Sequence, residues 1–349
     1  MYPLEVYACY SLEQNIRLKS SSGAIFSFLA KYILEQEGVI YGVSMSDDCY
    51  SANFIRVVDD DGLAKLRGSK YLQAKVGNTY KQVKEDLLEG TLVLFSGTGC
   101  QINGLKGFLG REYDNLICVD VICHGVPSPV LWKKYAQYQE DFNGGKLKNI
   151  NFRCKDQNWS DFGMKELLNN NSNLEEKKIY ISKDKDSYMQ MFLRNYCLRP
   201  SCYQCVAKNI KLSDLTIADF WGIDEVAPEM NDGKGTSLVL VRTQKGKLIF
   251  DKVSKSLRIK SVSYAEGVKC NPSEYQSCHK PIQREYFFTD MCNMTFEELE
   301  KKYASPIRAT VWCKIKRKIK SWITRIPRKI GGAESNSNEK YGLFFVFRV

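Results

Sequence analysis

The feature that most constrains the fold is a strand, a glycine-bearing turn and a helix, found twice in succession. The apolar run Leu92–Phe95 ends at Gly97-Thr98-Gly99-Cys100, and helical periodicity follows. The second run, Leu116–Ile122, ends at Cys123-His124-Gly125, and two prolines then introduce a helix. Such units are typical of α/β proteins. We therefore predict an α/β fold of mixed sheets flanked by helices, with both cysteines just beyond strand ends, where ligands usually bind.

The other elements are predicted from apolar periodicity. The predicted strands are Leu4–Tyr10, Gly38–Val43, Asn53–Val58, Leu215–Asp219 and Ser237–Arg242, and the predicted helices are Ala24–Leu34, Tyr80–Leu88 and Tyr188–Tyr196. We interpret 144–187 as a hairpin and surface loop without functional signal. Lys245-Gly246 is interpreted as a turn between strands.

The net charge of +11 is concentrated in one segment. Residues 301–330 contain eleven lysines and arginines and no acidic residue, so the rest of the 349-residue chain is formally neutral. We divide the chain into an N-terminal domain (1–90), a C-terminal domain that holds the cysteine turns (91–295) and a basic tail (296–349). This charge pattern, without an aromatic-lined basic groove, does not indicate a nucleic-acid binder.

The tail predicts a basic amphipathic helix over 314–326, where isoleucines and Trp322 share one face. Through 312–330 it is suited to an anionic membrane surface. The alternative is a solvated helix that packs on the protein body by its isoleucines. The apolar end at 343–349 carries no signal that we can interpret.

Cysteine usage indicates a reducing compartment. The thirteen cysteines are an odd number in a long chain that shows no signal peptide. No apolar run is long enough for a transmembrane helix. We therefore expect a cytoplasmic protein that can associate peripherally with the inner face of the membrane. The two histidines of the chain are too few for a histidine-rich zinc site.

The strongest metal-ligand signal is Cys202-Tyr203-Gln204-Cys205. Alone, this Cys-x-x-Cys turn fits an iron–sulfur cluster, zinc, a redox dithiol or simple packing. A zinc ribbon would need a second such pair, which the chain lacks. Cys100 and Cys123, in their strand-end turns, are candidates for two further ligands, and Cys197 competes for the fourth place.

Taken together, the motifs resemble the coenzyme F420 hydrogenase/dehydrogenase beta subunit family, which includes bacterial members encoded among polysaccharide-synthesis genes. The resemblance covers roughly residues 5–290. It rests on seven blocks in the expected order: Ser20-Ser21-Ser22-Gly23; Gly68-Ser69-Lys70-Tyr71; Phe95 to Gln101; Cys123 to Pro129; Leu198 to Tyr203; Ser213-Asp214 with Asp219-Phe220-Trp221-Gly222; and Gly235-Thr236-Ser237.

The resemblance implies an α/β protein that carries FAD and one [4Fe–4S] cluster. It matches the cluster ligands to Cys100, Cys123, Cys202 and Cys205 and leaves Cys197 as a bystander. Three family positions differ, because Ala24 and Ala218 replace frequent glycines and Gly99 replaces a common proline. Many relatives begin with a ferredoxin-like domain that this sequence does not show, so we expect a separate ferredoxin or other iron–sulfur protein to donate electrons.

The same resemblance suggests flavin contacts. The turn of Ser21, Ser22 and Gly23 offers amides, hydroxyls and a helix dipole to a pyrophosphate, whereas without the family context a simple serine N-cap is the favoured interpretation. Lys70, beside Ser69, is expected to neutralise phosphate or the reduced flavin, and the alternative is a solvated loop lysine.

His124 is expected to donate to a cluster sulfur or to relay a proton, or else to be a structural histidine. Asp219 is expected to bind a ribityl hydroxyl, or else to cap a turn. The expected function is an iron–sulfur flavoprotein oxidoreductase subunit that passes electrons between an external donor and a two-electron acceptor, F420-like or other. The alternatives are a polysaccharide-associated protein with an altered or lost redox role, and a non-enzymatic metal-stabilised scaffold at the membrane.

Overall fold

The structure is a computed structural model that describes residues 2–156, 158–170 and 176–305. The chain up to Ser305 forms one compact unit. The predicted basic helix over 314–326, its flanking segment 312–330 and the apolar end at 343–349 lie outside the described residues.

The described residues alternate between strands and helices for most of their length. The strands are β1 (Glu5–Ser11), β2 (Val39–Met45), β3 (Ala52–Val57), β4 (Ala74–Lys75), β5 (Val93–Thr98), β6 (Leu116–Val121), β7 (Gly145–Cys154), β8 (Gly163–Asn170), β9 (Glu176–Ser182), β10 (Leu215–Asp219), β11 (Ser237–Val241) and β12 (Leu257–Ser261). The helices are α1 (Gln14–Leu18), α2 (Ile25–Glu35), α3 (Asp60–Leu66), α4 (Thr79–Leu88), α5 (Gly99–Leu109), α6 (Pro129–Asn143), α7 (Ser187–Leu193), α8 (Ile223–Val226), α9 (Gln244–Val253), α10 (Tyr264–Val268), α11 (Arg284–Asn293) and α12 (Phe296–Leu299). This mixed α/β architecture confirms the predicted fold class.

Nine strands form one mixed sheet in the order β12-β1-β11-β10-β6-β5-β2-β3-β4. The central strands β10, β6, β5 and β2 are parallel to one another. Their carboxyl ends therefore meet at one edge of the sheet, which is the edge where ligands bind in open α/β sheets. The predicted positions of Cys100, Cys123 and Asp219 all fall at this edge.

The predicted boundary near residue 90 does not separate two domains. The first strand, β1, pairs with β11 through Glu5–Val241 and with β12 through Tyr7–Ser261. Backbone hydrogen bonds thus join the beginning of the chain to residues more than 200 positions away. The boundary at 296 is also displaced, because α12 follows inside the same compact unit, which ends at Ser305.

The sheet is covered by apolar side chains on both faces, as expected for a central parallel strand. Neighbouring residues of β5 alternate, so that Leu94 packs against the cluster containing α2 and Phe95 packs against the cluster containing α6. Trp132 of α6 is fully buried, and its indole N–H is satisfied by the carbonyl of Cys49 at 2.8 Å. The result is a rigid platform beneath the functional edge.

The segment 144–187 forms a second sheet rather than a surface loop. Strands β7, β8 and β9 make an antiparallel three-stranded sheet, and Phe152, Phe162 and Met164 are buried. The predicted hairpin is therefore confirmed in part, but the segment is a structured layer that reaches the functional site described below.

The predicted turn at Lys245-Gly246 is wrong, because both residues lie in α9. Thr243 caps this helix by accepting a hydrogen bond from the Gly246 N–H. A Cβ on Gly246 would lie 2.3 Å from the Asp214 carbonyl oxygen. The glycine thus serves close helix packing and not a turn. No described helix is long and apolar enough to cross a membrane.

Candidate cofactor site

The four predicted cluster cysteines line a single cavity of about 260 Å³ at the carboxyl edge of the main sheet. Cys100 lies in the first turn of α5, directly after β5, and Cys123 follows β6. Cys202 lies in a 3-10 turn over Pro200–Gln204, and Cys205 follows that turn. Three separate chain segments thus bring four thiols to one place, as a cluster requires.

Backbone pairing brings the Cys123 and Cys202 segments together. Pro127 and Leu198 form an isolated antiparallel bridge, and the Arg199 N–H donates to the Val126 carbonyl at 3.0 Å. On the other side, a Cβ on Gly99 would lie 3.2 Å from the Cβ of Ala207. Glycine at position 99 therefore lets α5 begin close to the turn after Cys205.

The thiols influence one another electrostatically. Burial raises the pKa of Cys123 to about 12, and the thiols of Cys202, Cys100 and Cys205 raise it further, against the opposing effect of Lys208. Burial also raises the pKa of Cys202, whose sulfur accepts a hydrogen bond from the Val126 N–H at 3.5 Å. Each thiol disfavours charge on its neighbours, which is the condition that a bound cation or cationic cluster relieves.

No three His, Cys, Asp or Glu side chains within the described ranges converge closely enough to hold a single metal ion. A tetrahedral zinc site would require such convergence, with zinc–sulfur bonds of about 2.3 Å. A cubane cluster differs, because each of its four thiolates binds a different iron atom. The four thiols and their shared cavity are the donor set that a cluster of this kind would need.

Cys197 is absent from the residues that line this cavity. It is fully buried in the main core, and its carbonyl accepts a hydrogen bond from the Ser128 N–H. Sequence reasoning missed Cys278, whose thiol donates to the carbonyl oxygen of His124. Burial raises the pKa of Cys278, and the nearby Cys202 thiol raises it further. No motif marks Cys278, since it reaches the site only through the tertiary fold.

A second cavity, of about 620 Å³, adjoins the first. Its volume lies within the range of cofactor and ligand pockets. The residues predicted to contact flavin are found here: Ser21, Ser22, Ser69, Lys70, His124 and Asp219 line the cavity, and Gly23 lies between two lining residues, Ser22 and Ala24. The stretch Cys123–Val126 lines both cavities, as do Thr98, Val121 and Ser273.

The serine turn is held by hydrogen bonds to distant loops. The Ser22 hydroxyl donates to the Thr236 carbonyl at 2.8 Å, and the Gly23 N–H donates to the Ser237 hydroxyl at 2.9 Å. A Cβ on Gly23 would lie 2.5 Å from the Cys9 carbonyl oxygen. The turn can therefore only be built with glycine at position 23.

The alternative of a serine N-cap is wrong. The cap of α2 is Ala24, which has a left-handed φ of 73° and makes no side-chain cap bond. This is the position where the family pattern has glycine, the residue that adopts positive φ without steric cost. The serine hydroxyls thus make no capping hydrogen bond to the first amides of α2.

Lys70 is placed at the wall of the larger cavity but is not a free cation. Its ammonium donates to the carbonyl oxygens of Lys65, Leu66 and Arg67 at 2.9–3.0 Å, at the end of α3. These three bonds use all three of its protons. Burial lowers the pKa of Lys70 to about 7. The alternative of a solvated loop lysine is therefore wrong. The ammonium has no proton left to donate to the expected phosphate.

His124 lies between the two cavities. Its Nε2 is 2.6 Å from the Asn195 side-chain oxygen. Its ring packs edge-on against Phe192, with 5.4 Å between the two ring centres. Burial lowers the pKa of His124. When the ring is neutral and donates to Asn195 from Nε2, its Nδ1 is an acceptor.

Asp219 ends β10 at the cavity, and its carboxylate already has protein partners. One oxygen lies 2.8 Å from Nη1 of Arg153, and the other accepts from the Trp159 indole at 3.3 Å. Arg153 itself was missed by sequence reasoning, because it lies in the segment interpreted as a surface loop. Its only sequence signal is an arginine between the apolar Phe152 and Cys154.

Comparison with known proteins identifies the family. The model that describes the carboxyl-terminal part of the beta subunit of coenzyme F420 hydrogenase/dehydrogenase matches residues 90–266. Among solved structures, the chain is similar to one in the xenon-derivatised F420-reducing [NiFe] hydrogenase complex from Methanosarcina barkeri. The two are 15% identical, 88% of this chain and 94% of that chain are covered, and the TM-score is 0.49. No curated protein matches. Because the family model covers just over half of the chain, the protein belongs to the coenzyme F420 hydrogenase/dehydrogenase beta subunit family.

Proposed function

We propose that the chain is an FAD- and [4Fe–4S]-dependent oxidoreductase subunit that passes electrons between an external iron–sulfur donor and a two-electron acceptor. Family membership supports a redox role of the hydrogenase/dehydrogenase beta-subunit kind. The finer assignment draws on the two cavities and on the chemistry of the side chains that line them.

The observation that carries the proposal is the shared wall between the cavities. Cys123, His124, Gly125 and Val126 have the cysteine-lined cavity on one side and the larger cavity on the other. Two cofactors bound in these cavities would be separated by one stretch of backbone.

The residues fit these two groups chemically. Cys100, Cys123, Cys202 and Cys205 would hold the cluster, and the larger cavity with its serine turn would hold FAD. When bound, a cluster supplies single electrons and a flavin combines two electrons and a proton into a hydride equivalent. The protein's part is to hold the four thiols together and to present the His124 ring between the two cavities.

The donor and the acceptor are proposed by class. The donor is a separate ferredoxin or other iron–sulfur protein, because the four cysteines that line the smaller cavity would hold one cluster. The acceptor is a compound that accepts two electrons, F420-like or other. We further propose a cytoplasmic location, with the basic segment 312–330 in contact with an anionic membrane surface.

The test is the visible spectrum and iron content of the protein purified anaerobically. We expect flavin bands together with a broad iron–sulfur absorption. Cys123→Ser should abolish the iron–sulfur absorption, whereas Cys49→Ser, which changes a buried cysteine outside both cavities, should retain it. A colourless protein that contains zinc, or equal losses in both variants, would refute the proposal.

A further inference from the structure

The larger cavity contains one buried cation whose hydrogen-bonding capacity is incomplete. Arg153, on β7, is 4% exposed and lines the cavity. Its Nη2 is buried and makes no hydrogen bond of standard geometry in the part of the chain that the structure describes, although the Tyr71 side chain interacts with the same guanidinium. A buried donor without an acceptor is destabilising, and more so when the group is charged. Native proteins rarely retain such a donor unless a ligand or water completes it.

Arg153 is also held rigidly in place. Its Nη1 pairs with Asp219 at 2.8 Å, and its guanidinium carbon lies 4.2 Å from the ring centre of Phe162 and 5.1 Å from that of Trp221. The carboxylate orients the guanidinium plane, and the rings prevent it from turning away. The unpartnered Nη2 is thus a fixed donor and not a mobile surface group.

The position of Arg153 relative to the serine turn indicates what it binds. Its Nε lies 3.4 Å from the carbonyl oxygen of Ser21. Two residues further along the chain, the Lys155 ammonium donates to the carbonyl oxygens of Arg17, Ser22 and Lys234 at 2.8–3.2 Å, so its three protons are committed in the same way as those of Lys70. Of Arg153 and Lys155, only Arg153 lines the cavity and keeps a donor for a ligand. A guanidinium beside the start of a helix has the chemistry of an anion site.

Lys70 does not supply this charge-assisted contact, because its three protons are donated to the end of α3. We propose that Arg153, contributed by the second sheet, is the residue that binds the phosphate oxygens of the ligand in the larger cavity, beside the Ser21 hydroxyl and the start of α2. This inference rests on the proposed function for the identity of the ligand, FAD, whose pyrophosphate is the anion in question.

The test uses the full chain, purified anaerobically and freed of flavin, and isothermal titration with FAD, ADP, inorganic pyrophosphate and riboflavin. Arg153→Gln should weaken binding of FAD and of ADP by about 10- to 100-fold, the range of a charge-assisted hydrogen bond. Riboflavin, which has no phosphate, should bind with an affinity within about twofold of wild type. Arg153→Lys keeps the charge and should lose less than Arg153→Gln.

Two variants separate a binding role from a structural one. Asp219→Asn removes the same ion pair but leaves the cation, so ADP and pyrophosphate should bind at least as tightly as to wild type. Arg56→Gln removes a comparable ion pair, to Asp86 at 2.9 Å and outside the cavity, and should leave all four affinities unchanged. Equal weakening of ADP binding by Arg153→Gln and Asp219→Asn would overturn the inference, as would riboflavin binding that falls as much as FAD binding.

The outcomes also separate this inference from the proposed function. If wild type binds FAD and Arg153→Gln binds it equally well, Arg153 is not the phosphate ligand, while the flavoprotein assignment remains. If wild type binds ADP and pyrophosphate in an Arg153-dependent way but does not bind FAD, the anion site is confirmed and the flavoprotein assignment fails.

Discussion

The hydroxyl oxygen of Ser21 lies 3.0 Å from that of Ser69 and also accepts a hydrogen bond from the Ser69 N–H at 3.0 Å. These contacts join two loops that are 48 positions apart in the chain and that both line the larger cavity. Hydrogen bonds therefore join the serine turn to the loop after α3 along the larger cavity.

Ser21→Ala removes both hydrogen bonds between the serine turn and the loop after α3. Because a net hydrogen bond contributes about 0.5–1.5 kcal/mol, we expect FAD to bind about 2- to 10-fold more weakly, measured by titration of flavin fluorescence. Ser254→Ala is the matched control, since its hydroxyl bonds to the Asp251 carbonyl on the surface. Unchanged FAD affinity in the Ser21 variant would show that the two loops do not need this tie.

The lining of the smaller cavity favours Cys100 over Cys197 as the fourth ligand of the proposed cluster. Cys100→Ser should lower the iron content well below about four atoms per chain, measured by colorimetric iron assay on anaerobically purified protein. Cys197→Ala should retain the iron, although it removes a fully buried side chain and should lower the thermal midpoint. Retention of iron by Cys100→Ser together with its loss in Cys197→Ala would reverse the assignment.

Ala24 carries a steric cost that glycine would remove. A left-handed residue other than glycine costs roughly 1–2 kcal/mol, and Ala24 has a φ of 73°. We therefore expect Ala24→Gly to raise the free energy of unfolding by about 1 kcal/mol in urea denaturation. Gly23→Ala, one residue earlier, should have the opposite effect because its Cβ would meet the Cys9 carbonyl oxygen. Equal effects of the two changes would contradict this account of the turn.

A buried acidic pair makes stability depend on pH. The Tyr135 hydroxyl lies 2.6 Å from carboxylate oxygens of both Glu166 and Asp186. One hydroxyl has one proton to donate, so one carboxyl must itself be protonated. Burial raises the pKa of Asp186 to about 6, against the opposing effect of the Met189 N–H that donates to it at 2.7 Å. Burial raises the pKa of Glu166 to about 7, from an ordinary value of 4.5, and we assign the proton to it.

A raised carboxyl pKa stabilises the fold at low pH and loses that contribution as pH rises through the folded value. The Glu166 contribution is therefore present below about pH 4.5 and is lost as pH rises towards and beyond 7, by up to about 3 kcal/mol. Glu166→Gln stays neutral, so its free energy of unfolding should change less between about pH 5 and 7.5 than that of wild type. Glu297→Gln, at an exposed position, should keep the wild-type slope. Parallel curves for wild type and Glu166→Gln would disprove the assignment.

The sequence predicted those parts of the protein that depend on neighbouring residues. The strand bounds of β10 agree with the prediction to the residue, and the ends of most other predicted elements differ from the observed ends by one or two positions. The mixed α/β class and the family followed from apolar runs, glycine turns and ordered motifs. These are local signals, because strand alternation, helix periodicity and turn geometry each act within a few residues.

Tertiary structure decided the features that depend on contacts between distant residues. The pairing of β1 with β11 and β12 merged the two predicted domains into one sheet. Arg153 reaches Asp219 from a segment that carried no functional signal, and Cys278 reaches His124 across 154 positions. Lys70 lines the larger cavity, but its ammonium donates hydrogen bonds to the backbone carbonyls at the end of α3. No local pattern records such contacts, since they depend on how packed layers bring separate backbone segments to the same edge of the sheet.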